Sequence, residues 1–495
     1  MSTKTTETDV IVIGSGASGL AAAVTAAEAG ARVIVFEKER SLGGTSNFFN
    51  GMFAVESEMQ RERYITYSRD EAFKRIMEYS HWRANARLVR AFVDESGSTI
   101  SWLREKGVEF LDATINMPDA PRTYHVVKGQ GAAVVKALAE SAKEKGVDLR
   151  LAIPVKKILK QASPGMAPSG GDRISGVVVE QDGVDIQVAS KVVIVASGGY
   201  ANNKEWIKKY SGFDLEVNVM PVGNVDKMGD GIRMAWEVGA AEEGMGLLEL
   251  FRVGPIGPDH PMKNQIEFVA GQPDLWVNSK GERFCDEGIA FYDTSVGNAN
   301  ARYKEGYTYS IFDDSIIQRL LEKGIDRGIA MENPPGTRPV DIHKELNIAF
   351  EKKSTDIFVA DSVEELAKKI GITPAVLKAT VEEYNGFCEK GHDDLFAKDP
   401  KYLRPLKGPK FYAVKARTIF LGTLGGIKIN HKMEVVDKKG KVIPGLYAGG
   451  FDAGGMWGDS YSIRDSSGAS AGFAVNSGRI AGRNAVKYVA EIKGH

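Results

Sequence analysis

The stretch from residue 9 to residue 44 constrains this chain more than any other feature. It starts with an apolar run at 10–13, passes through a glycine-rich turn into an alanine-rich stretch, and returns to an apolar run that ends at Glu37. This order predicts a β-α-β unit. The turn carries the G-x-G-x-x-G pattern at Gly14, Gly16 and Gly19, which is typical of dinucleotide binding.

Each part of this turn has a physical reason. Gly14 permits the tight turn, Gly16 lets backbone N–H groups approach a pyrophosphate, and Gly19 allows the helix to pack closely on the strand. The pyrophosphate is expected at the positive end of the helix dipole, and the Glu37 carboxylate is expected to accept hydrogen bonds from ribose hydroxyls. The predicted cofactor positions here are Gly14, Ser15, Gly16, Ala17, Ser18, Gly19, Glu37 and Lys38.

A second glycine-rich loop follows and favours FAD over a nicotinamide dinucleotide. A plain nicotinamide site needs only the first loop, whereas an extended dinucleotide uses a second loop on its far phosphate and its flavin. Hydroxyls at this loop can donate hydrogen bonds, and a glycine leaves room for a bulky ring. The alternative is an ordinary surface turn. The positions concerned are Gly43, Gly44, Thr45, Ser46, Gly51 and Met52.

Composition narrows the class of protein. A chain of 495 residues exceeds one ordinary core, so two domains are expected. A formal net charge of −1 gives no electrostatic argument for nucleic acid or an anionic membrane. The first residues lack the apolar core of a secretion signal, and no long apolar run predicts insertion into a membrane. Two cysteines cannot build a disulfide framework or an iron–sulfur cluster, so we predict a cytoplasmic protein without a metal site.

The pattern along the chain predicts a domain inserted into another. The glycine-rich motifs of the first domain end near residue 255 and reappear after residue 421. Helical patterns cover 362–391 and 468–492. A segment rich in Pro, Gly and Ser at 162–171 is predicted to be an exposed loop. The predicted domains are 1–255 and 422–495, the two parts of a nucleotide-binding domain, and 256–421 between them.

Several motifs together resemble the flavoprotein family of fumarate reductase, succinate dehydrogenase and 3-ketosteroid dehydrogenase. They cover nearly the whole chain in the family's order: VIVIGSGASGLAAA, EKERSLGGTSNFFNGM, VVIVASGGYANN, MGDGIRMA, VNSKGERFCDE, GLYAGGFDAGG and SGRIAG. The resemblance implies an α/β fold, with a Rossmann-like FAD-binding domain (GR2-type) and an inserted α+β capping domain. It also implies a substrate bound between the two, against the flavin.

The resemblance adds further cofactor positions. The backbone of Val155 is expected near adenine, and the N-terminus of the last helix near the pyrimidine edge of the flavin, where reduced flavin carries negative charge. The family's histidine for covalent attachment is not found, so FAD is predicted to bind non-covalently. The added positions are Val155, Ala196, Ser197, Gly198, Asp230, Ser466, Ser467 and Gly468.

The candidate catalytic residues agree with the family only in part. Arg283 matches the arginine that resembles the proton donor of the fumarate-reducing branch, although it could instead form a salt bridge within the cap. Glu267 matches an acidic relay position. The relay arginine expected three residues later is replaced by Ala270, so the proton path is expected to differ.

The substrate positions depart further from the dicarboxylate reducers. The histidine expected before Thr423 is absent, and Tyr461 stands where an arginine would clamp a carboxylate. Tyr461 instead resembles the tyrosine that binds the substrate ketone in the ketosteroid-dehydrogenase branch, and a phenol can do this without carrying charge. Further candidates for substrate contact are Arg464, Trp457, Leu424 and His260.

The sequence therefore predicts an FAD-dependent oxidoreductase that transfers hydride and a proton across a C–C bond next to an activating group. The expected substrate is a relatively apolar ring compound that bears a ketone, such as a steroid or polyphenol. One alternative is an enoate reductase that uses Arg464 and His260, and another is an electron-transfer subunit. The external electron partner is left open between NADH and a redox protein.

Overall fold

The chain was analysed in a computed structural model that describes residues 6–161, 173–256, 260, 264–328 and 333–493. The predicted loop at 162–171 lies outside these residues. The described chain forms two compact units. The first contains Met1–Gly212, Gly223–Glu249 and Gly422–His495, and the second contains Phe213–Val222 and Leu250–Leu421. The predicted domain ranges place 213–222 and 250–255 in the other unit, and the separate roles of the two domains stay a prediction.

The bounds of the regular elements are as follows. The strands are β1 Thr6–Ile13, β2 Val33–Phe36, β3 Gly51–Phe53, β4 Phe110–Thr114, β5 Tyr124–Val127, β6 Asp148–Arg150, β7 Val155–Gln161, β8 Arg173–Gln181, β9 Val184–Val195, β10 Met220–Pro221, β11 Glu242–Glu243, β12 Leu248–Val253, β13 Leu275–Val277, β14 Tyr307–Asp313, β15 Ile357–Ala360, β16 Phe411–Thr423, β17 Gly426–Ile427, β18 Glu434–Val436 and β19 Val442–Ala448. The α-helices are α1 Ala17–Glu28, α2 Glu58–Glu62, α3 Arg69–Tyr79, α4 Ala86–Glu105, α5 Gln130–Glu144, α6 Lys204–Ser211, α7 Asp230–Glu237, α8 Gln265–Ala270, α9 Asp293–Ala301, α10 Asp314–Lys323, α11 Ile342–Glu351, α12 Val363–Lys369, α13 Pro374–Lys390 and α14 Ala469–Lys493.

The first unit is built on a sheet whose centre is parallel. Its strands follow the order β18-β19-β9-β1-β2-β6, and β1 pairs in parallel with both β2 and β9. The central strands are continuous runs of Val and Ile, as expected for strands covered on both faces. Because parallel strands end at the same edge, the residues after β1, β2 and β9 lie close together.

Helices α1 and α14 pack directly on each other in the first unit. A methyl group on Gly478 or Gly482 of α14 would collide with backbone carbonyls of α1, those of Ser18 and Ala22. Only glycine allows this close approach between two helices. The packing fixes α14 relative to the turn that precedes α1.

The second unit contains a mainly antiparallel sheet with helices. Strands β13, β14, β16 and β10 form its path, and β12 and β15 also pair with β16. A hydrophobic core from the sheet strands and helices α8, α10, α11, α12 and α13 fills this unit. This is the α+β composition expected for the inserted region. Among the described residues of the chain, no helix combines the length and apolar composition that crossing a bilayer requires.

Candidate active site

The first glycine-rich turn holds the Glu37 side chain in place. Gly14 has a φ of 102°, and a methyl group there would collide with the carbonyl of Ala196 at the end of β9. One carboxylate oxygen of Glu37 accepts hydrogen bonds from the Ser15 backbone N–H at 2.9 Å and the Ser15 hydroxyl at 2.6 Å. The predicted ribose-binding acid and the glycine turn therefore meet at the same edge of the sheet.

The N-terminus of α1 has the chemistry that a phosphate group needs. Gly16, its N-cap residue, offers no side-chain cap, and among the described residues the one side chain that accepts from the first amides of α1 is Ser46, whose hydroxyl accepts from Ala17 N–H at 3.0 Å. The Ser18 hydroxyl is buried and has no hydrogen-bond partner among the described residues. Unsatisfied donors at the positive end of a helix dipole fit a bound diphosphate.

The second loop lies next to the first. Ser46 connects it to α1, and Thr45 donates a hydrogen bond to Asn224 at 3.2 Å. A methyl group on Gly44 would lie 3.0 Å from the Nζ of Lys227, and one on Gly198 would lie 3.3 Å from the same atom. Lys227 therefore stands beside two of the predicted cofactor glycines, although the sequence analysis did not select it.

Two residues predicted to contact the cofactor, Lys38 and Asp230, form an ion pair with each other. Lys38 forms ion pairs with Asp230 at 3.0 Å and with Asp226 at 2.7 Å. Their charges are mutually neutralised, so direct contacts from Lys38 and Asp230 to a cofactor require that these pairs open. The ion pairs hold the start of α7 next to the chain that follows β2, and a cofactor contact by Lys38 or Asp230 stays a prediction.

The backbone amides that follow β9 also donate to a side chain of the protein. The fully buried carboxylate of Asp452 accepts hydrogen bonds from the backbone N–H groups of Ser197, Gly198 and Gly199 and from the Ser197 hydroxyl. Burial raises the pKa of Asp452 despite these bonds. That Ser197 and Gly198 line a bound pyrophosphate stays a prediction, and their N–H groups donate to Asp452 in this structure.

The remaining predicted cofactor positions lie at the start of β7 and just before α14. Val155 begins β7 next to the chain after β2, where Ile153 N–H donates to the Glu37 carbonyl at 2.9 Å. Gly468 precedes α14, and its carbonyl accepts from Phe53 N–H at 3.0 Å beside β3, which contains Gly51 and Met52. The hydroxyls of Ser466 and Ser467 bond back to the carbonyls of Ser462 and Ile463.

Tyr461 is buried in a cluster at the first turn of α14. Its ring meets the Trp457 ring edge-on, with centroids 4.9 Å apart, and Trp457 also packs on Phe473. Ser470, in the first turn of α14, interacts with the Tyr461 hydroxyl and donates a hydrogen bond to Glu249 at 3.4 Å. The cluster therefore combines a phenol and a carboxyl group.

The pKa values of this pair are both raised. Burial raises the pKa of Glu249 to about 7, and no cation pairs with it among the described residues. Burial also raises the pKa of Tyr461 above its usual range, and the negative charge of Glu249 adds to this effect. Tyr461 therefore stays a neutral phenol, while Glu249 exchanges its proton near neutral pH. A buried acid that exchanges its proton near neutral pH is suited to proton transfer.

The other predicted substrate residues do not join this cluster in the described contacts. Arg464 is nearly half exposed and forms ion pairs with Asp119 and Asp465, both at 3.6 Å. Its exposure argues against the alternative of a buried carboxylate clamp. Leu424 is buried, and its N–H donates to the Leu247 carbonyl at 2.9 Å. His260 is partly buried between two undescribed segments, and its role stays a prediction.

Arg283 lies in the second unit inside a closed network of ion pairs. Its guanidinium bonds to Glu287 at 3.0 and 2.8 Å and to Asp393 at 3.2 and 2.8 Å, with the rings of Tyr384 and Phe396 at about 5 Å on its faces. Although burial lowers its pKa, the bonds to Glu287 and Asp393 outweigh this and raise the pKa. A more basic arginine with every nitrogen bonded is a poor proton donor, which favours the alternative of a salt bridge within the cap, and the role of Arg283 as proton donor stays a prediction.

Glu267 is buried in the short helix α8, one turn before Ala270. Its backbone N–H donates a hydrogen bond at 2.8 Å to the side-chain oxygen of Asn264, the N-cap residue of α8. The Ala270 carbonyl accepts a hydrogen bond from the Ser310 hydroxyl at 2.6 Å. The relay role of Glu267 stays a prediction.

The first unit thus presents a glycine turn, an unsatisfied helix N-terminus, a ribose-type acid and a neighbouring lysine along one sheet edge. These residues fit a long dinucleotide. The family comparison agrees, because residues 9–460 match the model described as "FAD binding domain". The chain belongs to this family of FAD-binding oxidoreductases that act on C–C bonds.

Named relatives extend along nearly the whole chain. A vinyl phenol reductase of Lactiplantibacillus plantarum is 36% identical over 488 residues, which cover 97% of this chain and 96% of the relative. The structure is similar to that of the open conformation of a flavocytochrome c3 fumarate reductase, with a TM-score of 0.73 and 26% identity over 98% of this chain and 79% of that one. A 3-ketosteroid Δ1-dehydrogenase from Sterolibacterium denitrificans shares the fold at a TM-score of 0.76 and 20% identity, covering 98% of this chain and 100% of that one.

Sequence reasoning missed three residues of the first unit. Glu249 is a single acid in the apolar run LLELF, and Asp452 is a single acid in GGFDAGG. A lone charge inside an apolar or glycine-rich run is the signal that could have found both. Lys227 carries no such signal, because only the fold brings it to Gly44 and Gly198.

Proposed function

We propose that this protein is an FAD-dependent reductase of a C=C bond conjugated to an oxygen-bearing ring, such as a vinyl phenol or a cyclic enone. The observation that carries the proposal is the buried, cation-free pair of Tyr461 and Glu249 at the first turn of α14. The named relative that covers 97% of this chain, a vinyl phenol reductase, supports this substrate class.

The side chains favour an uncharged substrate near this pair. A substrate carboxylate bound next to the buried Glu249 would be repelled by the negative charge of ionised Glu249. Burying it there would cost free energy unless a cation compensated its charge. The side chains around Tyr461 are instead aromatic, and the arginine predicted to serve a carboxylate, Arg464, is nearly half exposed. These observations rank the enoate reductase below the lead.

In this proposal FAD supplies the hydride when it is bound. Tyr461 donates the proton that accompanies the hydride, because its hydroxyl is neutral and buried. Glu249 replaces that proton, because its pKa of about 7 leaves it partly protonated at neutral pH. The Ser470 hydroxyl and amide hold the two groups in one place.

Anaerobic reoxidation of the reduced holoenzyme tests the proposal. Reduced methyl viologen would reduce the flavin, and a panel of 4-vinylphenol, 2-cyclohexenone and fumarate would then be added. We expect reoxidation by one or both of the ring compounds and not by fumarate. Reoxidation by fumarate alone overturns the proposal in favour of the enoate reductase, and reoxidation by none favours an electron-transfer subunit.

Tyr461→Phe tests the proton donor. We expect reoxidation by the ring substrate to slow by about 10²- to 10⁴-fold, the usual worth of a general acid, with FAD content unchanged. Tyr447→Phe is the matched control, because it removes another buried phenol hydroxyl of the first unit, which bonds to the Asn484 carbonyl at 3.2 Å. Equal rates for Tyr461→Phe and the control would contradict the assignment.

We keep two further predictions with the proposal. The electron donor is NADH or a redox protein, and stopped-flow reduction of the flavin by NADH distinguishes these sources. The cytoplasmic location also stays a prediction, which fractionation of cells that express the full chain would check.

A further inference from the structure

Strand β12 carries a buried arginine, Arg252, in the part of the strand that belongs to the second unit. Arg252 is 7% exposed, and no carboxylate forms an ion pair with it among the described residues, although Glu287 favours its charge through space. Burial lowers its pKa to about 9, so the guanidinium still carries its charge at neutral pH. A buried charge without an ion-pair partner costs several kcal/mol, so its retention calls for an explanation.

The surroundings of Arg252 are oriented to hold a cation. Its Nε donates to the Thr308 hydroxyl at 2.9 Å, and its Nη2 donates to the Ser310 hydroxyl at 3.0 Å. Both hydroxyls donate their only proton to other acceptors. Thr308 donates to Asn300 at 2.5 Å and Ser310 to the Ala270 carbonyl at 2.6 Å. Each hydroxyl can therefore only accept from the guanidinium.

These contacts leave N–H donors on one edge of the guanidinium without a hydrogen-bond partner among the described residues. The plane of Arg252 lies over the Trp276 ring at 4.2 Å, which fixes its orientation. Its Nη1 has no hydrogen-bond partner among the described residues, and Nη2 retains a second N–H. An edge formed by two N–H donors of a fixed cation is the usual way in which arginine binds an anionic oxygen.

Arg252 also stands beside the position where the family pattern lacks its arginine. One hydroxyl, that of Ser310, links its Nη2 to the carbonyl of Ala270. A cation from a strand 18 positions earlier in the sequence is thus connected through one hydroxyl to the backbone of residue 270.

We propose that Arg252 binds the phenolate oxygen of the substrate. The inference rests on the proposed function for the identity of the ligand as a phenol. A vinyl phenol becomes reactive when its hydroxyl loses a proton, since the phenolate pushes electrons toward the alkene and the terminal carbon takes up a proton. The resulting quinone methide accepts hydride at the carbon next to the ring and regains a phenolate. A fixed cation at the oxygen stabilises the charge at both stages.

Binding of 4-nitrophenol to the oxidised holoenzyme tests the inference without turnover. Its phenolate absorbs visible light and its neutral form does not, so a difference spectrum reports ionisation on binding. At a pH below that of half-ionisation of the free phenol, we expect the wild type to bind the phenolate. Arg252→Gln should weaken binding about 10- to 100-fold and lose the phenolate band, because it removes hydrogen bonds to a charged group.

Two further variants make the result specific. Arg252→Lys keeps a charge without the planar fork and should restore part of the phenolate band. Arg417→Gln is the control, because this arginine of the same unit is partly exposed and paired with Asp356 at 2.8 Å. FAD content and the melting temperature of each variant show whether it folds. An unchanged spectrum in Arg252→Gln, or neutral binding to the wild type, overturns the inference.

A substrate pair separates this inference from the proposed function. 4-Vinylphenol can form a phenolate, whereas 4-methoxystyrene has the same alkene and ring but cannot, so we expect the wild type to reduce the phenol and not the ether. We expect Arg252→Gln to lose about 10- to 100-fold in kcat/KM on the phenol. Phenolate binding without any alkene reduction would refute the proposed function alone. Equal use of both substrates by wild type and variant would refute the role of Arg252 alone.

Discussion

Two regions of the molecule bury charge in opposite ways. The network around Arg283 closes on itself, since Glu287 and Asp393 occupy its guanidinium and Lys398 lies 3.2 Å from Glu287. Strand β12 instead carries Glu249 and Arg252, neither of which has a counter-ion among the described residues. The first arrangement neutralises its charge within the fold. The second leaves charge available for a ligand or a proton.

This difference changes which arginine matters for chemistry. A motif resemblance selects Arg283, but every nitrogen of Arg283 is bonded and its pKa is raised. The pKa of Arg252 is lowered to about 9, and one of its nitrogens has no partner among the described residues. A functional cation is therefore better recognised by its missing counter-ion than by its place in a motif.

The largest expected effect comes from breaking the closed network. Arg283→Met would leave the carboxylates of Glu287 and Asp393 buried without their partner, and we expect a loss of about 3–5 kcal/mol in the free energy of unfolding. Arg252→Met removes a charge that has no carboxylate partner, so it should cost much less. Urea unfolding of both holoproteins measures the difference, and equal losses would contradict the comparison.

A smaller effect is expected from the pH dependence of Glu249. Its pKa rises from an ordinary value of 4.5 to about 7 in the fold. The folded protein then holds this proton longer than the unfolded chain, so Glu249 lowers stability as pH rises from 4.5 to 7. The change is about 3 kcal/mol, at about 1.4 kcal/mol for each tenfold difference in proton affinity.

Glu249→Gln should remove this part of the pH dependence. Unfolding by urea at several pH values between 4.5 and 7 measures it in the variant and the wild type. Glu109→Gln is the control, because Glu109 is exposed and paired with Lys128. If Glu249→Gln leaves the slope of stability against pH unchanged, Glu249 is not the buried acid that the geometry indicates.

The smallest effect extends the comparison to two lysines of the first unit. Lys38 is paired with Asp226 and Asp230, whereas the Nζ of Lys227 donates to the Ser197 carbonyl at 3.5 Å and has no carboxylate partner among the described residues. Lys227→Ala should weaken FAD binding about 10-fold through a lost charged hydrogen bond, and Lys38→Ala by less. Fluorescence titration of the apoprotein with FAD checks this, and a stronger effect at Lys38 would reverse the assignment.

Sequence patterns predicted the local elements of the cofactor region well. The run at 10–13 lies in β1, Glu37 follows β2, and the last helix is Ala469–Lys493 against a predicted 468–492. The helical pattern at 362–391 is instead two helices, because Pro374 begins α13 after a break at Gly371. Short-range periodicity thus fixed the type of each element better than its ends.

The site residues that sequence reasoning missed depend on contacts between distant positions. Asp452 takes the amides of 197–199 across about 250 residues, and the hydroxyls that hold Arg252 come from Thr308 and Ser310. Nothing in a local pattern states which donors a buried group will capture. Hydrogen-bond partners follow from the geometry of the folded chain.

The sequence by itself determined the nucleotide-binding half of this protein. Glycine spacing, strand composition and the acid at 37 act within some thirty residues, where the conformational demands of the backbone are local. Only the tertiary structure decided which ionisable groups are neutralised and which stay available. Whether a group is neutralised depends on burial and on counter-ions from remote strands. For this reason Tyr461, Glu249 and Arg252, rather than Arg283, are the stronger candidates for a chemical role.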